Sequence, residues 1–383
     1  MIYLDNAATT FPKPRGLLDR MVADYAAIGV SPGRGSYDMA VAAEEVIQAA
    51  RVKLAAFFGA TDPQRVIFTA NATDGLNLAL LGFLKAGDHV VTTRLEHNAV
   101  LRPLHHLQQE GCVRCSLVPF SPQGFIDPDD IARAIRPETR LVVVNQASNV
   151  LGTVQPMADV GAICAERGVA LLVDASQSAG QVPVDMAALQ ASALAFTGHK
   201  SLYGPTGTGG LILQPDFEVR STRFGGTGIE SRSPVHTQDF PYRLEAGTLN
   251  LMGIIGLSLA VDELLATGLE TIHRQEMALT RRLVDGLRRL EGVRLYGTED
   301  LDRHLAVVAA NVDGIAPEDV GDILDGDFDI AVRVGLHCAP LVHQDLGTAA
   351  QGAVRFSLGR YTTADEIDQT INAMAQIARS QAQ

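Results

Sequence analysis

The chain has 383 residues, of which 46% are hydrophobic and 20% charged, as in an ordinary globular protein with room for a large and a smaller domain. Its formal net charge of −13 argues against a surface that binds nucleic acid or an anionic membrane. No apolar run reaches the roughly 18 residues of a membrane-spanning helix, and the start MIYLDNAATT lacks the basic residues of a signal peptide. We therefore expect a cytoplasmic protein.

Short apolar runs alternate with helical patterns between about residues 40 and 215. Helices are predicted for VAAEEVIQAARVKLAAFFG, DGLNLALLGFL and DVGAICAERG, and strands for RVIFTA, HVVTT, RLVVVNQAS, VALLVDAS and GGLILQ. Such alternation is typical of an α/β fold with a parallel or mostly parallel sheet that is covered by helices on both faces.

The pattern changes after about residue 250. One long helical region, 251–290, is followed by the strand patterns VRLYG, LAVVAANV and GAVRFSL and by a terminal helix, TADEIDQTINAMAQIARSQ. This order predicts a smaller α+β domain. We divide the chain into an N-terminal segment (1–30) that packs with the small domain, a large domain (31–255) and a small C-terminal domain (256–383).

The cysteines indicate neither a disulfide scaffold nor a metal site. Only four are present in this long chain. Cys112 and Cys115 have C-x-x-C spacing, but no second pair completes a zinc site, and a strand over 113–118 would turn them to opposite faces. Cys164 lies in a helical pattern and is expected in the core.

In open α/β sheets, ligands bind beyond the carboxyl ends of the strands, and polar residues collect at these predicted strand ends. Thr73, Asp74 and Gly75 would present hydroxyl and N–H donors at a helix N-terminus, either for a phosphate or as an ordinary helix cap. Asp174 ends an apolar strand, as a structural cap or as the partner of a cationic ligand nitrogen. The same two interpretations, a structural role or a ligand-binding role, apply to His97 and to the polar residues Asn145, Gln146 and Asn149.

Lys200 is the least expected of these residues, because an unpaired ammonium is costly in a loop of small and apolar residues. A lysine with a lowered pKa can form an imine with an aldehyde cofactor. Pyridoxal phosphate needs such a lysine, a carboxylate for its ring nitrogen and a phosphate cradle. Lys200, Asp174 and residues 73–75 supply these three groups.

Two segments near the C-terminus add further candidates. In RVGLHCAP, Cys338 follows His337 and lies five residues after Arg333, and nearby cations favour the nucleophilic thiolate. Arg355, in the strand pattern VRFSL, can clamp a carboxylate bidentately or form a surface salt bridge. Arg333 is predicted to contribute to the same substrate site.

The chain resembles the class V aminotransferase family, and within it the cysteine desulfurases related to the SufS and selenocysteine lyase group. The resemblance runs through the segments YLDNAATT, ATDGLN, LEHNA, SNVLGT, DASQSAG, TGHKSLYGPTGTGG, EAGTLN, RVGLHCAP and VRFSLGRYTT. Their shared order and spacing are more specific than any one of them. The resemblance implies fold type I of the pyridoxal phosphate enzymes.

Site roles are implied by this resemblance. Lys200 matches the lysine that holds the cofactor as an imine and later moves a proton, His97 the histidine stacked on the ring, and Asp174 the partner of the ring nitrogen. Asn149 and Gln177 match groups near the ring hydroxyl or the substrate. The other matches are Thr73, Thr197 and His199 as phosphate ligands, Thr248 as a residue given to the other subunit's cofactor, Arg355 as the arginine for the substrate carboxylate, and Cys338 as the persulfide-forming cysteine.

The implied reaction converts L-cysteine to L-alanine. Cysteine displaces Lys200 from the cofactor, the freed amine moves the α-proton, and the Cys338 thiolate takes the sulfur as a persulfide. The implied partners are L-cysteine or L-selenocysteine, a second copy of the chain and a sulfur-acceptor protein, as in iron–sulfur cluster biogenesis.

The chain departs from this group at Asn98 and Leu336, where histidine is usual. Selenocysteine lyase, cystine lyase and aminotransferase activities on the same scaffold remain alternatives, because a fold does not fix a reaction. Cys338 favours desulfuration over the last two. A non-catalytic scaffold is a further alternative, disfavoured because it would need none of Lys200, Asp174 and Arg355.

Overall fold

The computed structural model describes residues 1–32, 35, 37–229 and 232–380. Its strands are β1 (Ile2–Tyr3), β2 (Val66–Thr69), β3 (His89–Thr93), β4 (Arg114–Val118), β5 (Thr139–Asn145), β6 (Ala170–Asp174), β7 (Ala193–Thr197), β8 (Gly209–Leu213), β9 (Val293–Tyr296), β10 (Val307–Val312), β11 (Ile330–Ala331), β12 (Arg333–Gly335) and β13 (Ala353–Ser357). Its helices are α1 (Leu17–Ile28), α2 (Asp38–Phe57), α3 (Ala72–Phe83), α4 (Asn98–Gln109), α5 (Pro128–Ala134), α6 (Met157–Arg167), α7 (Leu251–Thr267), α8 (Leu269–Arg288), α9 (Pro317–Phe328), α10 (Pro340–Asp345) and α11 (Ala364–Ser380).

The large sheet has seven strands within the described ranges, in the order β2-β8-β7-β6-β5-β3-β4. Its neighbours from β7 to β4 are parallel, whereas β8 runs antiparallel to both β2 and β7. Every residue of β3 and β7 is buried, because helices cover both faces of the sheet. The predicted mostly parallel α/β architecture is therefore confirmed.

Two of the differences from the sequence-based predictions have a clear local cause: β7 was not predicted, and the long helical region is interrupted. Strand β7, which leads into the Lys200 loop, is an alanine-rich run of five residues, too short for periodicity to distinguish a strand from a helix. The predicted helical region 251–290 is two helices, because Gly268 adopts φ +85° between α7 and α8, a conformation that favours glycine.

Among the described residues, no single helix is long and apolar enough to cross a membrane; only α7 and α8 taken together meet the length and composition criteria, and they are bent by 79°.

The C-terminal part forms a second, antiparallel sheet, which has four strands in the described segments, in the order β12-β13-β10-β9. The N-terminal residues reach this region, because β1 pairs with β11 and Leu4 packs in the same hydrophobic cluster as Val308 and Phe356. Helix α1 instead contacts α7. The division at residues 30 and 255 stays a prediction, and the second boundary falls inside α7.

Candidate active site

A cavity of about 730 Å³ lies where the large sheet meets the C-terminal sheet. It brings together most of the predicted site residues, namely Thr73, His97, Asn149, Asp174, Gln177, Thr197, His199, Lys200, Arg333, Cys338 and Arg355. The strands β5, β6 and β7 end at this cavity, as the rule for open α/β sheets predicts. The predicted residues are therefore neighbours in space although they come from distant parts of the chain.

Two predicted residues lie elsewhere. Asp74 and Thr248 line an adjacent cavity of about 200 Å³. The Asp74 carboxylate accepts a hydrogen bond from the Ala70 N–H at 3.3 Å and forms a salt bridge with Arg223 at 3.2 Å. It therefore stabilises the N-terminus of α3. Thr248 is exposed. Of the predicted phosphate turn at 73–75, only Thr73 reaches the main cavity.

Lys200 lies in a tight loop directly after β7. The Gly204 N–H donates to the Gly198 carbonyl at 2.8 Å, and the Tyr203 N–H to the Lys200 carbonyl at 2.8 Å. From the N-terminal segment, the Thr10 hydroxyl donates to the Lys200 carbonyl at 3.0 Å. Burial lowers the pKa of Lys200 to about 8, although the Asp174 charge acts in the opposite direction. The loop therefore presents an amine that is partly neutral near physiological pH.

His97 is the N-cap of α4, and its Nδ1 accepts a hydrogen bond from the Ala99 N–H at 3.0 Å. The proton of the neutral ring is consequently on Nε2. Burial, and then the charge of Lys200, lower the pKa of His97. A neutral ring with a fixed tautomer and orientation is well suited to lie against a flat ligand.

Hydrogen bonds from Asn145 to Glu96 and Leu95 stabilise the turn that carries His97. The Asn145 backbone N–H donates to the Glu96 carboxylate at 3.1 Å, and its side-chain Nδ2 donates to the Leu95 carbonyl at 2.7 Å. Burial raises the pKa of Glu96 to about 8. The end of β5 thus fixes the position of His97. Glu96 carries no recognisable sequence signal for this role, and the sequence marks Asn145 only as one of several polar residues that follow a strand.

Several buried polar atoms in the cavity have no hydrogen-bond partner in the part of the chain that the structure describes: Asn145 Oδ1, Asn149 Oδ1, Thr197 Oγ1, His199 Nδ1 and Arg355 Nε. Leaving such an atom unpaired costs about 1–3 kcal/mol. Their concentration in one cavity indicates a polar ligand. Thr197, His199 and the first turn of α3 beside Thr73 line one end of this cavity, and their donors are of the type that could hold an anion.

Asp174 ends β6 with its side chain buried, 4% exposed. Its Oδ1 accepts a hydrogen bond from the Ser176 N–H at 2.9 Å. In the sheet it is paired with Asn145 of β5. The carboxylate is thus held at a defined position in the cavity.

Cys338 is exposed, between β12 and α10. Its φ is +56° and that of His337 is +50°, a left-handed conformation that is unfavourable for residues other than glycine. The Asn149 Nδ2 donates to the His337 carbonyl at 2.6 Å, and the Asn98 N–H to the Cys338 carbonyl at 2.7 Å. Cys338 also lines an outer cavity of about 430 Å³, so it lies between two openings.

A chain of hydrogen bonds fixes the orientation of the His337 ring. Its Nε2 lies 3.3 Å from the Arg333 carbonyl, its Nδ1 lies 3.4 Å from His343 Nε2, and His343 Nδ1 lies 2.8 Å from the Thr348 hydroxyl. Burial lowers the pKa of His337 to about 3 and that of His343 to about 4. Both rings are therefore neutral. His337 Nε2 donates to the Arg333 carbonyl, His343 Nε2 donates to His337 Nδ1, and the Thr348 hydroxyl donates to His343 Nδ1. Sequence reasoning did not identify His343.

Arg355 and Arg333 meet at a residue that sequence reasoning also missed, Asp5. Arg355 donates from Nη2 to Asp5 Oδ1 at 2.9 Å, and Arg333 from Nη2 to Asp5 Oδ2 at 2.8 Å. An acidic residue after the apolar pair of β1 was the available signal. Both arginines line the cavity, so the cavity has a cationic side near Cys338.

Comparison with known proteins gives consistent matches over almost the whole chain. A family model described as Aminotransferase class-V matches residues 2–370. A probable cysteine desulfurase of Methanothermobacter thermautotrophicus is 34% identical over 98% of this chain and 94% of its own length. A cysteine desulfurase of Pectobacterium atrosepticum is 32% identical over 99% of this chain and 93% of its own length.

Solved structures agree. The apo structure of a cysteine desulfurase from Thermococcus onnurineus NA1 superposes with a TM-score of 0.93 at 35% identity, covering 99% of this chain and 95% of that one. The cysteine desulfurase CsdA of Escherichia coli, in an S-sulfonic acid form, gives 0.88 at 29% identity, covering 98% and 94%. The similarity therefore extends to the arrangement of both sheets.

Proposed function

From the premise that this chain belongs to the class V aminotransferase family, as its sequence predicted, we propose that it is a pyridoxal phosphate-dependent cysteine desulfurase. It converts L-cysteine to L-alanine and passes the sulfur to Cys338. The observation that carries this proposal is the single cavity shared by Lys200, Arg355 and Cys338. The relatives named cysteine desulfurase support the same activity.

The residues present fit the proposed cofactor. The unpartnered Thr197 Oγ1 and His199 Nδ1, with Thr73 at the start of α3, match its phosphate. The buried Asp174 carboxylate suits the ring nitrogen, and Lys200 supplies the amine. When bound, the cofactor provides an electron sink for charge that develops at the substrate α-carbon.

Side chains of the protein itself bind the substrate, exclude water and transfer the proton. Arg355 binds the substrate carboxylate, which orients the α-carbon. His97, its ring fixed by the Ala99 N–H, covers one face of the site and excludes water. The neutral amine of Lys200 accepts the α-proton and returns it elsewhere on the carbon skeleton. Asn149 and Gln177 lie beside these groups.

Cys338 accepts the sulfur. Its thiolate attacks the substrate sulfur and forms an S–S bond, while the bond between that sulfur and the substrate β-carbon breaks. The electron pair of the broken bond stays with the carbon skeleton, which takes up protons to become alanine. A reductant or an acceptor thiol then cleaves the persulfide.

We extend the proposal to a homodimer and to a sulfur-acceptor protein. Thr248 is exposed and outside the main cavity, which supports its contributing to the site of a second copy. The outer cavity beside Cys338 supports transfer of sulfur to a partner. A role in iron–sulfur cluster biogenesis would follow from such a partner.

The decisive test measures alanine and sulfide from L-cysteine, with the cofactor and a reductant present. Equal amounts of both products support the desulfurase. Pyruvate and ammonia in place of alanine, with sulfide released, would instead favour a C–S lyase. Transfer of the amino group to a 2-oxo acid without sulfide would favour an aminotransferase. Selenocysteine lyase is separated by comparing kcat/KM for L-selenocysteine and L-cysteine.

Replacing Arg355 with alanine is expected to raise the KM for L-cysteine by roughly 10- to 100-fold, because each hydrogen bond to a charged group contributes about 1.5–3 kcal/mol. Steady-state kinetics check this expectation. Arg102 is the matched control, since it also lines the cavity but makes no contact with Asp5. A larger effect on KM in Arg102→Ala would move the carboxylate site there.

Covalent loading of the cofactor is expected to depend on pH through Lys200. Only the neutral amine reacts with an aldehyde, so the loading rate should rise with pH, reach half its maximum near the lowered pKa of Lys200, about 8, and level off above it. Stopped-flow absorbance of the cofactor after mixing with the cofactor-free protein measures this rate. A rate that keeps rising to the pH range of an ordinary lysine would contradict the lowered pKa.

A further inference from the structure

Asp5 is a buried carboxylate at which two arginines from the other end of the chain meet. It follows β1 and pairs with Ser357 at the end of β13. Arg333 donates from Nε and Nη2 to Asp5 Oδ2 at 3.0 and 2.8 Å, and Arg355 donates from Nη2 to Asp5 Oδ1 at 2.9 Å. Asp5 therefore fixes both guanidinium groups against one carboxylate.

These contacts leave one guanidinium nitrogen of Arg355 without an acceptor. Arg355 Nη1 donates to the Asn149 carbonyl at 3.1 Å, whereas its Nε is buried and unpartnered among residues 1–32, 35, 37–229 and 232–380. The residue is 2% exposed and lines the main cavity. A buried charged donor without an acceptor is costly, so the site fits one more acceptor.

The cluster also has an uncompensated charge. Two guanidinium groups share one carboxylate, which leaves a net charge of +1 on the three side chains. A ligand with one carboxylate brings this total to zero. Because charges interact strongly in a partly buried site, that balance favours a monoanionic carboxylate over a neutral group.

We propose that Asp5 is the positioning residue of the carboxylate site: it holds Arg355 with its Nε unpartnered and cancels one of the two arginine charges. Asp5 thereby determines both where a ligand carboxylate binds and how strongly it is attracted. The inference rests on the proposed function only in taking L-cysteine as the natural ligand.

Three variants separate charge from orientation. Asp5→Asn keeps the size of the side chain but leaves the cluster at +2. Arg333→Gln keeps the pair between Asp5 and Arg355 and leaves the cluster at 0. The double variant Asp5→Asn/Arg333→Gln restores +1 but lacks the carboxylate that orients Arg355.

Calorimetry on the cofactor-loaded protein tests the charge. The probe is 3-mercaptopropionate, which has the thiol and carboxylate of cysteine but no amine. Its Kd is expected to fall about tenfold in Asp5→Asn and to rise about tenfold in Arg333→Gln. In the double variant the Kd should return towards the wild-type value. The neutral thiol 2-mercaptoethanol is the control, and its Kd should not change among the variants in this order.

Kinetics with L-cysteine test the orientation. Asp5→Asn and the double variant should lose roughly 10- to 100-fold in kcat, because a carboxylate held in the wrong place misplaces the reacting atoms. Arg333→Gln should mainly raise KM. A merely structural role of Asp5 would not separate kcat from KM, and it would affect both thiol probes alike.

The outcomes are distinct. Equal binding of 3-mercaptopropionate by the wild type and Arg333→Gln overturns the inference. This outcome can be tested even if Asp5→Asn does not fold, because the Arg333 side chain is 50% exposed and dispensable for the core. An unchanged kcat in Asp5→Asn removes the positioning role. If the order of probe affinities holds in a protein that does not convert L-cysteine, the role of Asp5 stands and the proposed function fails.

Discussion

The Lys200→Ala variant is expected to lose its covalently held cofactor and roughly 10²- to 10⁴-fold in kcat, the range that a positioned proton-transfer group contributes. No other side chain can replace this amine, since Lys200 is the one lysine that lines the cavity in the described structure. The cofactor absorption that remains after gel filtration measures the attachment. Borohydride reduction followed by peptide mass analysis identifies the modified lysine.

Lys13 is the matched control. Burial lowers its pKa to about 8 as well, and its Nζ donates to the His199 carbonyl at 2.8 Å, next to Lys200. It does not line the main cavity. Lys13→Ala should therefore keep the covalent cofactor. If the absorption persists in Lys200→Ala and disappears in Lys13→Ala, the assignment of the amine is wrong.

The Cys338→Ala variant is expected to lose at least about 10³-fold in sulfide release and to form correspondingly little alanine. A positioned nucleophile acts at an effective concentration of about 10⁵ M or more, so a millimolar thiol in solution cannot replace it. The measurement is alanine and sulfide from L-cysteine, together with the mass of the peptide that contains residue 338. In a parallel reaction without reductant, the wild type should gain the mass of one sulfur atom there.

Cys115 provides the control for this variant. It is half-buried in β4, and burial raises the pKa of its thiol to about 11, which keeps it unreactive. Cys115→Ala should release both products at the wild-type rate. Equal alanine formation by Cys338→Ala and the wild type would show that Cys338 is not the sulfur acceptor.

The family and the main sheet could be predicted from the sequence because their signals are local. Strands buried on both faces appear as continuous apolar runs, such as LVVV at 141–144. The motifs around Lys200 and Cys338 are short segments whose residue types are fixed by their chemistry. The residues at the ends of β5, β6 and β7 lie in one cavity, as expected, because the carboxyl ends of parallel strands meet at one edge.

Contacts between distant residues could not be predicted in this way. The partners of Asp5 lie 328 and 350 positions away, and no periodicity relates residues at such separations. The separation of Thr73 from Asp74 depends on which side of the first turn of α3 faces the cavity. The sequence by itself determined the family, the α/β class and the chemistry of the candidate groups. Only the tertiary structure decided which of these groups share a cavity and which residues orient them, because long-range packing sets both.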